Sequence, residues 1–188
     1  MSRRPRSEGP PTDVKLREAA MAEFNAHGFA GTDSNRIARR AGFAPQTFYR
    51  WFKDKTEIFI ACYRAWEDEE RAAVQALTER GASADAFVQA GVEQHRRYLM
   101  FRRSLKLLSL ENPQVRAARA QSRLRQVAQI RAWVGSRASD ETLAVALLEL
   151  ERLTDAIAEG ELADMGLTED AARLKLAQIV TGLREGAA

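Results

Sequence analysis

The stretch FAPQTFYRWFKDKTEIF, residues 43–59, sets four aromatic rings between positions 48 and 52, behind a proline and a threonine and ahead of two lysines. Rings at that density usually belong to a core, but Arg50, Lys53 and Lys55 do not. Helical spacing resolves the conflict. Phe48 and Phe52 lie four apart and share a face, while Thr47, Arg50 and Lys53 lie on others and Tyr49 and Trp51 flank them. Phe48 and Phe52 then anchor a short helix into a small core with Phe24 and Ile37, and Gln46, Thr47, Tyr49 and Arg50 face outward. A helix of this size fits the major groove of B-DNA, where Arg pairs with guanine, Gln with adenine and Thr touches the thymine methyl. Tyr49, Trp51, Lys53 and Lys55 can reach phosphates, which set position rather than sequence. Lys55 also stands at the start of the next helix, whose free N–H groups suit an anion.

The residues before this stretch supply the rest of a motif. Thr12 or Asp13 caps a helix over 13–27 with Leu16, Ala19, Ala20 and Phe24 on its apolar side, and Gly28 stops it. Gly31 and Thr32 open a second short helix with Ile37, Ala38 and Ala41 turned inward. Gly42 ends it, and Pro45 fits the first turn of a third helix that runs to Phe52. Two short helices meeting at a glycine-bearing turn are the signature of a helix-turn-helix.

The remaining sequence reads as helix throughout, so the expected fold is all-α. Helices are expected at 55–79, from Ser83 to Leu110 with a kink or division near 98–104, at 113–135, at 140–163 with Asp140 as cap, and from 168–170 to 184. The expected organisation is a basic arm over 1–11, a DNA-binding domain over 12–55 and a helical remainder over 56–188. Charge supports the division: residues 1–55 hold 11 Lys/Arg against 6 Asp/Glu, the rest 18 against 20. A basic first third on a slightly acidic remainder suits a chain of which one part meets a polyanion. Arg3, Arg4 and Arg6 of the arm can enter a minor groove or serve as a solubilising tail.

The residues Ala20, Phe24, Gly28, Phe29, Thr32, Ile37, Ala38, Ala41, Gly42, Thr47, Tyr49, Phe52 and Lys55 together resemble the DNA-binding domain of TetR-family transcriptional regulators. The resemblance implies that Thr32, Arg36, Tyr49, Trp51 and Lys55 contact the DNA backbone and that Gln46, Thr47 and Arg50 face bases. Asn35, Ala44, Pro45 and Lys53 complete the expected DNA-contacting set. The resemblance also implies that residues 56–188 are a helical ligand-binding and dimerisation domain, and that the chain is a homodimer on a double-stranded operator, a repressor released by a small-molecule effector. One departure stands out. Where the family commonly has a small hydroxyl residue to cap the third helix, this chain has Ala44, and such a cap is worth about 1 kcal/mol.

Two apolar stripes near the end step by three and four. One is Leu143, Leu147, Leu150, Leu153 and Ile157; the other is Ala172, Leu176, Ile179 and Leu183. Except for Ala172, these residues are the expected dimer interface. Val145 and Leu148 widen the first stripe beyond one seam, as in a helix that gives a second side to a partner. Cys62, Trp66, His95, Tyr98, Phe101, Leu105, Ile130 and Trp133 are the candidate lining of a ligand pocket. HRRYLMFRRSLK, residues 95–106, reads as a solvated basic face, or as a surface steering an anionic or aromatic effector toward a pocket. The fourth helix, starting at the DNA-binding part, is the expected lever between ligand and DNA.

Other classes find little support. The longest apolar runs, Ile58–Tyr63 and Leu143–Leu148, are six residues each, far below the ~20 of a membrane span. The basic start has no apolar segment behind it, so a cytoplasmic protein without membrane contact is expected. A single cysteine, Cys62, gives no intrachain disulfide, and two histidines 68 residues apart give no catalytic arrangement. No enzyme, metal or cofactor is expected. The alternatives are a sequence-indifferent DNA-binding protein and a helical adaptor that has lost DNA binding.

Overall fold

The structure, a computed structural model, describes residues 10–134 and 138–185. Among these residues every regular element is a helix: α1 Thr12–His27, α2 Ser34–Arg40, α3 Pro45–Phe48, α4 Lys55–Glu79, α5 Ala84–Arg97, α6 Leu99–Glu111, α7 Pro113–Val134, α8 Asp140–Glu159, α9 Glu161–Asp164 and α10 Asp170–Arg184. They form two compact units, one ending at Tyr63 and one beginning at Arg64.

In the first unit, α1 starts after Pro11 with no side-chain cap and ends at Gly28, whose φ of 68° favours glycine. Neither Thr12 nor Asp13 is the cap, because both lie inside the helix. The second helix begins later than Gly31 and Thr32. Asp33 caps it, its Oδ1 accepting from the Arg36 N–H at 2.8 Å. The third is shorter than its aromatic spacing predicts. Regular helix ends at Phe48, and Trp51 and Phe52 continue as a turn through N–H bonds to the Phe48 carbonyl, 3.0 Å each. Ala44 provides no side-chain cap. Asp54 accepts from the Glu57 N–H at 2.9 Å and thereby opens α4.

Leu16, Ala20, Phe24, Ile37, Phe48, Ile58 and Phe59 are fully buried in this unit. Phe24, Phe29 and Phe59 form an aromatic triangle with ring centroids 5.0–5.8 Å apart. Phe48 is the anchor that the sequence suggests. Phe52 is half-buried beside it, with the two rings 5.9 Å apart.

In the second unit, the long expected fifth element divides at Tyr98 into α5 and α6. Ser139, not Asp140, caps α8 by accepting from the Thr142 N–H at 3.2 Å. Gly160, with φ 82°, ends α8 four residues earlier than expected and hands over to the single turn of α9. Val88 and Val92 of α5 pack with Ile157 of α8 and Leu176 of α10. Val127 of α7 packs with Leu143 and Ala146 of α8 and Leu183 of α10.

The eight residues expected at a dimer interface therefore sit in or against this unit's own core. Leu143, Ile157, Leu176 and Leu183 are buried, and Leu147, Leu150, Leu153 and Ile179 pack beside them. The outward sides of α8 and α10 instead carry Val145, Leu148 and Leu174, exposed by 57%, 44% and 62%.

Candidate nucleic-acid interface

With Phe48 turned inward, α3 and its following turn hold a run of side chains at the surface. Ala44, Gln46, Tyr49, Arg50, Trp51 and Lys53 are exposed, and Pro45 and Thr47 are half-buried. Tyr49 and Trp51 stand out because 60% and 50% of these large rings face solvent. A soluble domain gains nothing from wetting two such rings unless something covers them. Tyr49 is also oriented. Its ring meets the edge of Phe48 at 5.2 Å, and its hydroxyl shares a 2.8 Å hydrogen bond with the hydroxyl of Ser34, the first residue of α2. Asn35 is exposed at the same end of α2.

Three of the expected DNA contacts are tied into the unit. Thr32 is buried, its hydroxyl 2.9 Å from the Gly28 carbonyl and 3.2 Å from that of Glu23, so it closes the end of α1. Lys55 donates from Nζ to the carbonyls of Phe29 and Thr32 at 2.8 Å each and lies 4.1 Å from the centre of the Phe29 ring. Burial holds this amine below the usual lysine range, with Asp33 opposing the shift. An ammonium has three donors, so one remains beyond the two carbonyls. Arg36 is half-exposed and paired to Glu23, with Nε 3.1 Å from Oε2. Arg3, Arg4 and Arg6 lie outside the described residues.

Sequence reasoning did not single out Glu23 or Ser34. Glu23 belongs to α1 and meets residues 13 and 17 positions later, a separation with no periodic signal. Ser34 reads as an ordinary early-helix serine until Tyr49 is seen against it.

In the second unit, the candidate pocket residues form no single group. Trp66, His95, Phe101 and Leu105 are buried, whereas Tyr98, Ile130 and Trp133 are half-buried. Trp133 stacks near Phe87 at 5.3 Å, Tyr98 donates to Glu69 at 3.1 Å, and Ile130 packs on the Val127–Leu143 cluster. Cys62 belongs to the first unit, with Sγ 3.4 Å from the Arg17 carbonyl, and burial pushes its thiol well above the usual range.

Trp66 and His95 border a buried chain of charges instead. Asp155 lies 2.9 Å from His95 Nδ1 and accepts from Arg102 at 2.8 and 3.0 Å. Arg102 also lies over the Trp66 ring at 4.9 Å and 3.7 Å from Glu151, which pairs with Arg119 and Arg123. Burial raises the Asp155 pKa, but the His95 hydrogen bond and the Arg102 charge outweigh it and hold the carboxyl well below the usual range. Among the described residues no cluster of side chains is arranged to hold a metal ion, and no helix is long and apolar enough to cross a membrane.

Residues 16–62 match the family model described as bacterial regulatory proteins, tetR family. The chain carries a TetR-family helix-turn-helix domain. That TetR-family match covers the aromatic triangle, the Ser34–Tyr49 pair, the exposed run after Ala44 and the Lys55 tie. The fold as a whole is shared with solved structures at low identity. A transcriptional regulator from Rhodococcus sp. Rha1 gives a TM-score of 0.69 at 18% identity, over 92% of this chain and 97% of that one. A protein from Saccharomonospora viridis in complex with choline gives 0.67 at 18% identity, over 90% and 95%. The fatty acid degradation regulator FadR from Bacillus halodurans gives 0.65 at 13% identity, over 92% and 96%. No curated protein matches the sequence.

Proposed function

We propose that the chain is a ligand-responsive, sequence-specific transcriptional regulator. It binds a palindromic operator as a homodimer, represses the genes beside it, and leaves the DNA when a small-molecule effector binds. The observation that carries this reading is the outward run Gln46, Tyr49, Arg50 and Trp51, on α3 and the turn that follows it, anchored by the fully buried Phe48 inside a TetR-family domain. Gln46 and Arg50 supply base-reading groups, with Thr47 beside them. Tyr49, Trp51, Lys53, Arg36, Asn35 and the remaining Lys55 donor supply phosphate contacts, and Arg3, Arg4 and Arg6 a minor-groove arm.

In the dimer, α8 and α10 meet their partner through the outward Val145, Leu148 and Leu174. Two DNA-reading helices related by a two-fold axis then address half-sites about one helical turn, ~34 Å, apart. The second unit receives the effector, and α4, which runs from Lys55 to Glu79, carries the change to the DNA-reading helices. The choline complex of the S. viridis protein and the fatty-acid role named for FadR are the likeness on which a small-molecule effector rests. The protein performs no catalysis and works in the cytoplasm, where the DNA is.

The test is a binding selection with the purified protein on random duplex DNA at near-physiological salt. A consensus of two inverted half-sites is expected. Equal affinity for all duplexes replaces the reading with a sequence-indifferent binder, and no binding even at low salt replaces it with an adaptor. An effector that binds tightly yet leaves operator affinity unchanged breaks the ligand-release part alone.

A further inference from the structure

We infer that Glu23 is a positioning residue of the DNA interface: it presets the arginines of α2 and so raises the preference for the operator over other DNA. The inference rests on the DNA-binding reading above. Glu23 is only 6% exposed, on the side of α1 that otherwise buries Leu16, Ala20 and Phe24. A carboxylate there costs stability unless it is paired. Each of its oxygens takes a different arginine: Oε2 takes Arg36 Nε and Oε1 takes Arg40 Nη1, both at 3.1 Å. His27 Nε2 stands 3.8 Å from Oε2. Arg36 Nη1 donates to the Gly31 carbonyl at 3.4 Å.

Holding α1 against α2 would not need this arrangement, because an apolar side chain would serve there. The arrangement leaves the two arginine side chains 40% and 49% exposed while each is held by one oxygen of Glu23. In a helix-turn-helix, α2 is the helix that crosses the DNA backbone. Phosphate contacts fix the register in which the neighbouring helix reads bases. A preset arginine therefore favours the one register of the operator complex. On random DNA many registers are equally good and a freely swinging arginine does as well. Glu23 also places a negative charge under the two cations, which weakens attraction to any duplex.

The test compares wild type with Glu23→Gln on the selected operator and on a random duplex, across a salt series. Operator affinity is expected to fall about tenfold, the scale of one charge-assisted hydrogen bond, while affinity for random DNA stays level or rises. A residue with a purely structural role lowers both together, and that result overturns the inference. Arg36→Gln alone should lower the operator preference by a similar factor, and adding Glu23→Gln to it should lower the preference by less than it does in wild type, because only Arg40 is left to be freed. An equal effect of Glu23→Gln in the presence and absence of Arg36 overturns the inference. If Glu23→Gln does not fold, Arg36→Gln carries the test alone, and an unchanged preference in that variant overturns the inference. A wild-type protein with no consensus overturns the regulator reading and this inference together. A clear consensus with an unchanged preference in Glu23→Gln overturns this inference only.

Discussion

The two units differ in where they keep their charges. Among the described residues of the first, Glu23 is the only buried charged side chain, and the arginines that pair with it reach it from the surface. The second buries Arg102, Asp155 and His95 together and adds Glu67, hydrogen-bonded to Ser122 and paired with Arg125 at 2.8 Å. Arg36 and Arg40 of the first unit pair with Glu23 while their side chains stay 40% and 49% exposed. Arg102, Arg119 and Arg123 of the second are engaged by its own carboxylates, Asp155 and Glu151. The first unit holds its shape mainly with apolar packing and leaves most of its charge outside. The second unit joins α5, α6, α7 and α8 through ions as well as through apolar packing. Buried ions are rarely the most stable solution, but they penalise any arrangement in which one partner is displaced.

The sharpest way to break the contrast is to unpair the buried ions. Asp155→Ala leaves Arg102 without its closest carboxylate and should destabilise the protein by about 3–5 kcal/mol, read by chemical denaturation. Replacing Arg102 and Asp155 together with apolar residues of similar volume should cost far less. A single variant as stable as wild type would show that the ions are not a unit. On the apolar side, Phe48→Ala should cost about 3–5 kcal/mol and abolish DNA binding with it, because the anchor of the reading helix is gone.

Titration gives a subtler comparison inside the second unit. His95 is held below the usual imidazole pKa by burial, with the Asp155 hydrogen bond opposing and Arg102 and Glu151 also facing it. Its contribution to stability is therefore present above about pH 6.5, the unfolded value, and is lost as pH falls toward the lower folded value. Glu70 runs the other way. Burial pushes its carboxyl up to about 7, with Arg102 opposing and Glu151 and Glu67 reinforcing the shift. Its contribution is full below about pH 4.3, the unfolded value, and is lost as pH rises through the folded value. Glu70→Gln should thus gain on wild type as pH rises from 4 to 7 on a scale read by thermal melts (roughly the span between those two values). A constant difference over that range would show that Glu70 ionises normally.

Smaller effects test the first unit. Arg50→Ala should leave the fold intact and relax preference at one operator position by about 1–3 kcal/mol, visible when the selection is repeated with the variant. Preference that survives intact would mean that Arg50 does not face bases. Ala44→Ser should stabilise the protein by about 1 kcal/mol by supplying the cap that α3 lacks, and no gain would show that Pro45 already suffices there.

The basic run at residues 95–106 shows how far one-dimensional reading reaches. It reads as a solvated face, and Arg96, Arg97 and Arg103 are exposed as expected, but Arg102 is buried and Lys106 half-buried against Glu159 at 2.9 Å. The spacing of Arg102 does not distinguish it from its neighbours. Its burial depends on Asp155, 53 residues away. The same holds for Val145 and Leu148: their excess apolarity is visible in sequence, but which stripe of α8 turns inward is set by α5, α7 and α10 together.

Local structure is legible along the chain. The glycines at 28 and 42, the proline at 45 and the rings at 48 and 52 specify a helix-turn-helix, because turn geometry and helical spacing act within a few residues. An all-α remainder follows from its composition and periodicity in the same way. The pairing of distant charges, by contrast, follows from the folded arrangement alone. Lys55 is drawn to two carbonyls of the α1–α2 loop, Glu23 to two arginines of α2, and Asp155 to His95 and Arg102. Electrostatic and hydrogen-bond energies depend on separation in space and on burial, and neither quantity is carried by separation along the chain.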